Sequence, residues 1–214
     1  MLKKKFYLML VLFLFFILSA CSFKLRPYKS NDVLLADDFS EAIHNWDTYK
    51  GKEESAVTYY QDGLLILLNA EQTDRITTVS GIFPEVEISV TAKKISGSDN
   101  NVFGIICRYT SDRNYYGFLI TSDGYYGIFK VFEGEYILLN SDNLQFSKHI
   151  RQGKIQNQLE AVCSSNYLIL RVNNIDLSIV SDHSFSSGKT GLFAGTYGEK
   201  NTAVLFDNYV VIHP

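Results

Sequence analysis

The chain has 214 residues, 14% of them aromatic and 20% charged, with a net charge of −3 at neutral pH. That length supports one sizeable domain, and the mild acidity argues against nucleic-acid binding or charge-driven adhesion to anionic lipid. Three cysteines and only 14 glycines exclude a disulfide-dense miniature scaffold and a low-complexity chain.

Lys3, Lys4 and Lys5 precede an unbroken apolar run from Phe6 to Leu18, and small residues at Ser19 and Ala20 lead directly into Cys21. The order of positive n-region, apolar h-region and small residues before a cysteine resembles the bacterial lipoprotein signal. The resemblance implies diacylglyceryl transfer to the Cys21 thiol and cleavage before it, so residues 1–20 are the signal peptide. The alternative is an uncleaved anchor, because the run is only slightly short of the roughly 20 residues that span a bilayer. Either way the remainder lies outside the cytoplasm and is held to a membrane. Loss of residues 1–20 leaves 194 residues with 17 basic and 23 acidic side chains. Residues 21–32 are polar, contain Pro27 and show no period, which makes them a lipidated tether of at most about 36 Å.

From Val33 to the end of the chain, short β-branched and aromatic runs alternate with turn signals, the pattern of one all-β sandwich or barrel over 33–214. The expected strands are Val33–Phe39, Ala56–Tyr60, Leu64–Asn69, Ile76–Ser80, Val86–Ile95, Val102–Tyr109, Tyr115–Ser122, Tyr125–Phe132 and Tyr136–Leu139, then Asn157–Cys163, Tyr167–Val172, Ile175–Val180, Thr190–Thr196 and Val204–Ile212. Asp123-Gly124, Glu133-Gly134 and Asn173-Asn174 supply residues tolerant of positive φ, as tight antiparallel hairpins require. Only Ser40–His44 and Asn143–Gln152 look able to form a helical turn. Several strands are apolar on both faces: Val102, Gly104 and Ile106 alternate with Phe103, Ile105 and Cys107. The second face of such strands must be covered or form a groove.

With Cys21 assigned to lipid, Cys107 and Cys163 remain in an oxidising compartment, and both share strand faces with apolar residues. This even pair invites a disulfide, with two buried thiols as the alternative.

Asp37-Asp38-Phe39 with Trp46, the run Phe103 to Tyr109, Tyr115 to Phe118, Asp123 to Tyr126, Asn157 to Cys163, Val172 to Asn174, Gly188 to Phe193 and Phe206 to Asn208 together resemble the concanavalin A-like lectin/glucanase superfamily, in its laminin-G-like and keto-disaccharide-hydrolase-like branch. The resemblance implies a jelly-roll sandwich of two antiparallel sheets, one concave, with the terminal strands side by side. It also implies a structural calcium where those strands meet, at Asp38 and Asp207. Alternatively, Asp207-Asn208 only caps a strand end.

Because this superfamily hosts lectins, enzymes and inert spacers, fold alone does not fix function. The Glu-x-Asp-x-x-Glu strand of its glucanases is absent, and Glu85 and Glu87 share a face without a third carboxylate. His44, His149, His183 and His213 form no metal or triad spacing. Aromatic side chains near the central turns suit the apolar faces of sugars, so Arg108, Tyr109, Tyr116 and Tyr126 are the expected ligand contacts on the concave sheet. The competing reading is that these tyrosines are strand formers whose rings cap the sandwich. The sequence is thus read as a membrane-anchored glycan-binding or structural module that takes polysaccharide or oligosaccharide and no nucleic acid. The alternatives are a glycan-cleaving hydrolase with dispersed residues and an envelope scaffold that contacts protein.

Overall fold

The computed structural model describes residues 29–51 and 55–214; residues 1–28, with the signal peptide and Cys21, lie outside them. In chain order the strands are β1 (Val33–Asp37), β2 (Tyr49–Lys50), β3 (Ala56–Tyr59), β4 (Leu64–Leu68), β5 (Asp74–Thr78), β6 (Val86–Ser96), β7 (Val102–Ser111) and β8 (Asn114–Thr121). They continue with β9 (Tyr125–Phe132), β10 (Glu135–Leu138), β11 (Gln145–Phe146), β12 (Asn157–Ser164), β13 (Tyr167–Val172), β14 (Ile175–Ser181), β15 (Lys189–Gly195) and β16 (Thr202–Ile212). Among the described residues there is no helix. Where a helical turn was expected, Gln145 and Phe146 instead pair with Tyr126 and Tyr125, and Phe39 opens the 40–44 segment with φ 57°.

The strands form two antiparallel sheets. One has nine strands, ordered β14-β13-β12-β6-β16-β4-β3-β2 with β1 also paired to β16; the other has seven, ordered β10-β9-β8-β7-β15-β5 with β11 also paired to β9. This is the jelly-roll architecture, and its first and last strands run side by side from Val33↔Ile212 to Asp37↔Tyr209. The expected hairpin signals sit where positive φ is needed. Asn173 and Asn174 have φ 50° and 66°, and Glu133 and Gly134 have φ 53° and 88°. Left-handed pairs of this kind match the strand twist on either side of a two-residue loop.

The main core lies between the sheets and follows the period-2 alternation expected of each strand. Ile88, Val90 and Ala92 of β6 meet Phe103, Ile105 and Cys107 of β7, with Phe118 and Ile120 of β8 beside them. At one end the chain's single tryptophan, Trp46, is edge-on to Tyr209 at 4.9 Å and tilted against Phe39 at 5.4 Å. Asp37 organises this corner, since its carboxylate accepts from Phe39 N and from Trp46 Nε1, both at 2.8 Å. Those bonds satisfy a carboxylate that is almost fully buried. They also hold Phe39 in its left-handed conformation. The Asp37, Phe39 and Trp46 pattern is therefore a structural tie.

Cys107 of β7 and Cys163 of β12 are bonded, so the disulfide joins the two sheets through the middle of the core. Their separation of 56 residues gives the link a large effect on the unfolded chain, about 4 kcal/mol in the chain-entropy picture. The Cys107→Ala, Cys163→Ala double variant should lose about 2–5 kcal/mol in urea unfolding followed by Trp46 fluorescence; an unchanged midpoint would contradict this role.

Candidate functional site

The seven-stranded sheet is buried on both faces. On its inner face Cys107, Tyr116, Phe118, Ile128 and Leu192 join the main core. On its outer face a second apolar cluster forms from Val102, Ile106, Tyr115, Leu119, Phe129 and Phe193. Consecutive residues part company here: Tyr115 faces outward and Tyr116 inward.

This outer face carries a cleft of about 360 Å³, within the usual range of roughly 300–1,000 Å³ for small-ligand sites. Val102, Tyr115, Leu119, Phe129 and Phe193 make its floor, each less than 10% exposed. Glycines on the same face make room for the rings. A Cβ on Gly117 would lie 2.1 Å from the Phe129 ring, and one on Gly195 would lie 3.0 Å from Val102 and 3.5 Å from Asp74. Phe129 can cover β8 because position 117 has no side chain. It stacks on Tyr136 at 4.7 Å and meets Phe193 and Tyr115 edge-on at 5.6 and 6.0 Å.

Tyr136 and Tyr197 form the rim and remain about half exposed, at 51% and 54%. Tyr197 is positioned through its N–H, which donates to buried Asn101 Oδ1 at 3.1 Å. The polar wall is built by Gln72, Thr73, Asp74 and Thr196. Thr196 Oγ1 fixes this wall: it accepts from Thr73 N at 3.1 Å and donates to Ala70 O at 3.0 Å. Burial is the main cause of the raised phenol pKa at Tyr115 and Tyr136, and nearby Asp74 adds to it at Tyr115. The phenols of Tyr115 and Tyr136 are therefore neutral donors at neutral pH.

Of the four expected contacts, only Tyr109 joins the outer face, where its ring is 5.8 Å from Tyr115. Arg108 is a correction. Simple alternation would place it outward after Ile106, but it has φ 49° where the pairing of β7 with β8 and β15 is shifted. The bulge turns the side chain to the end of the sandwich, as extra residues in a ladder do. There it is 2% exposed and donates to three backbone oxygens, those of Pro84, Phe185 and Ser165, at 3.2, 2.9 and 2.9 Å. It serves as a strut between loops, and burial lowers its pKa despite the neighbouring Tyr116 and Glu85.

Tyr116 and Tyr126 are corrections for a related reason, since both point into the sandwich. Tyr116 donates to Asp182 at 2.6 Å, and Tyr126 donates to Leu177 O at 3.0 Å. Asp182 also holds Lys130 at 2.6 Å and accepts from Ser184 N at 2.8 Å. Lys130 in turn donates to Ser184 Oγ at 2.8 Å, so this Lys and Ser are consumed by a local ion pair and its hydrogen bonds.

Asp38 and Asp207, expected at a calcium site, are each engaged by hydrogen bonds from neighbouring residues. Asp38 Oδ1 accepts from Ser40 N at 3.1 Å and Ser40 Oγ at 2.7 Å, which lowers its pKa, and Asp207 accepts from Asn208 N at 2.6 Å. Burial raises the Asp207 pKa, and the negative charges of Asp38 and Asp62 raise it further. Among the described residues no three or more His, Cys, Asp or Glu side chains are disposed to hold a metal ion, whereas calcium takes six to eight oxygens. Glu85 accepts from Ser165 N at 3.0 Å, and Glu87 lies 3.5 Å from Arg171, so neither enters the cleft. A smaller cavity of about 160 Å³ on the nine-stranded sheet is lined by Thr91, Arg151, Gln156, Gln158, Asn173 and Asn174, with no aromatic ring.

The cleft residues come from β5, β7, β8, β9, β10 and β15 and from the segments just before β5 and after β15, and no local motif gathers them. A signal was nevertheless present: Gly191, Phe193 and Gly195 alternate on one face of β15, a large ring between two gaps.

No family model matches the sequence, and no curated protein matches it. Among solved structures the fold is similar to carbohydrate-binding module CBM66 from Bacillus subtilis, at 15% identity over 87% of this chain and 99% of that one, with TM-score 0.62. It is similar also to a protein of unknown function with a galectin-like fold from Bacillus subtilis, at 9% identity over 87% and 98% of the two chains, with TM-score 0.62. The GH43 protein BlXynB from Bacillus licheniformis matches at 15% identity over 88% of this chain, with TM-score 0.64, and this chain spans 41% of it. At these identities the likeness establishes the fold.

The inward polar network makes a pH prediction. Burial alone would raise the Asp182 pKa, but its bonds from Lys130, Tyr116 and Ser184 together hold it well below the usual 3.8. A depressed carboxyl contributes stability that is present above the unfolded pKa and is lost as pH falls through the folded one. Burial, with the bond to Asp182, pushes the Tyr116 phenol up from 10.0 to about 12. The folded state therefore retains a proton that the unfolded chain loses, and stability should decline across that window as well. Urea unfolding across pH should show both limbs, and Asp182→Asn should flatten the acid one; an acid limb indifferent to that change would sink this account.

Proposed function

We propose that the chain is an extracytoplasmic, lipid-anchored module that binds glycan in the cleft on the outer face of the seven-stranded sheet, without cleaving it. The observation that carries this reading is the pairing of exposed rings with planar and hydroxyl groups around one depression. Tyr136 and Tyr197 offer ring faces at the rim, and Gln72, Thr73 and Thr196 supply hydrogen-bonding groups beside them. Sugars present apolar C–H faces edged by hydroxyls, so rings and polar groups are needed together. The similarity in fold to a carbohydrate-binding module is consistent with this reading.

The charge inventory supports binding without hydrolysis. Among the described residues lining the cleft, Asp74 alone is a carboxylic acid. Two-carboxylate hydrolysis needs a second, at roughly 5 Å for retention or 6.5–9.5 Å for inversion. The anchor follows from the order of Lys3 to Lys5, the apolar run and Cys21. A mature chain with two or three acyl chains would be held stably, and residues 21–32 would keep the sandwich within a few tens of ångströms of the bilayer, at about 3.3 Å per residue.

A glycan panel probed with the full chain in detergent should yield specific binding with no release of sugar. Tyr136→Ala should weaken that binding about tenfold, the scale of one stacking interaction. Arg108→Ala should instead lower the unfolding midpoint. Binding indifferent to Tyr136→Ala would refute the site. For the anchor, cells fed labelled palmitate should lose the label on Cys21→Ser; a variant that keeps it is not lipidated at this cysteine.

A further inference from the structure

Among the described residues, Asp74 is the only formally charged side chain lining the cleft. It stands on edge strand β5 opposite Gly195, whose missing side chain leaves the carboxylate open to the depression. The residue is exposed, and among the described residues its carboxylate has no hydrogen bond or ion pair. The next residue, Arg75, gives it no relief. Strand alternation sends Arg75 to the opposite side, where its guanidinium sits 4.1 Å over the Tyr49 ring. Among the described residues no Lys or Arg lines the cleft.

Tyr115, Phe129, Tyr136, Phe193 and Tyr197 surround the same space. Ring faces are negative by quadrupole, and so attract a cation placed over them. Carboxylate and rings thus act with one sign, and the raised phenol of Tyr115 is in part a response to Asp74. An acidic sugar entering here would be repelled by Asp74 and would find no cation to offset that charge among the described residues. A protonated amine would find a counter-ion and ring faces together.

We infer that the cleft selects a glycan carrying a free primary amine, an unacetylated 2-amino sugar, with its ammonium on Asp74 and its ring against the rim tyrosines. This deepens the glycan-binding reading and rests on it. Calorimetry on the full chain in detergent, at low salt, would compare a β-1,4-linked N-acetylglucosamine hexamer with its fully deacetylated counterpart. The deacetylated hexamer should bind about tenfold more tightly, a cation–π contact and an exposed ion pair acting together. That margin should shrink at high salt and fall to about threefold or less in Asp74→Asn, the part left to the rings, while Asp142→Asn, an exposed carboxylate outside the cleft, should leave it intact. Equal or weaker binding of the deacetylated hexamer, or a preference undiminished in Asp74→Asn, would overturn the inference. So would a lysine hexamer that binds as tightly, which would assign the cleft to a cationic peptide. If neutral members of a glycan panel bind while neither hexamer does, the amine inference falls and the glycan reading stands. If no glycan binds at all, both fall.

Discussion

The structure depends on one constraint: the strands of the seven-stranded sheet are apolar on both faces. A strand has only two sides, so a sheet that packs one against its partner must cover or use the other. Here the inner side is spent on the core with the nine-stranded sheet, and the outer side is covered by rings folded over glycines together with Leu138 and Leu144. That leaves a depression with an aromatic floor instead of a solvated surface. The cleft is thus a consequence of how the sheet balances bulk against gaps, with Phe129 over Gly117 as the clearest case.

The two ends and the middle of the sandwich are fixed by separate devices, which frees the outer face from structural duty. Cys107–Cys163 joins the sheets through the core, Asp37 ties Phe39 and Trp46 at one corner, and Arg108 gathers three loop carbonyls at the end near Pro84. The Lys130–Asp182 pair with Tyr116 and Ser184 closes the edge where β8 and β9 meet the segment after β14. Each of these groups is chemically capable on paper, and each is fully occupied by its neighbours. The cleft, by contrast, keeps Tyr136, Tyr197 and Asp74 exposed.

The fold was largely legible in the sequence because period-2 alternation and positive-φ turn residues are local signals. Asn173-Asn174 and Glu133-Gly134 fell where the chain reverses, and fourteen expected strands match observed ones, Tyr125–Phe132 and Tyr167–Val172 end to end and the others with shifted ends. The two-residue strands β2 and β11 were not legible, since they are too short to carry a period and exist only through their partners. The site was legible in kind and misplaced in detail. Aromatic contacts on a two-faced sheet could be expected, but the sequence does not say which of Tyr115 and Tyr116 faces the other sheet. Arg108 shows a harder limit, because one left-handed residue reversed a side chain that alternation had placed outward. Tyr136, Tyr197 and Asp74 come together only through the order of strands.

The central claim is that the outer face of the seven-stranded sheet is the binding surface. Its most direct test is nuclear magnetic resonance of the full chain in detergent, with side chains and amides labelled, titrated with a glycan that a panel shows to bind. Shifts centred on Asp74, Phe129, Tyr136 and Phe193, with Thr91, Gln158 and Asn173 unmoved, are the predicted result. Shifts centred on those last three residues, at the polar cavity of the opposite sheet, would contradict it.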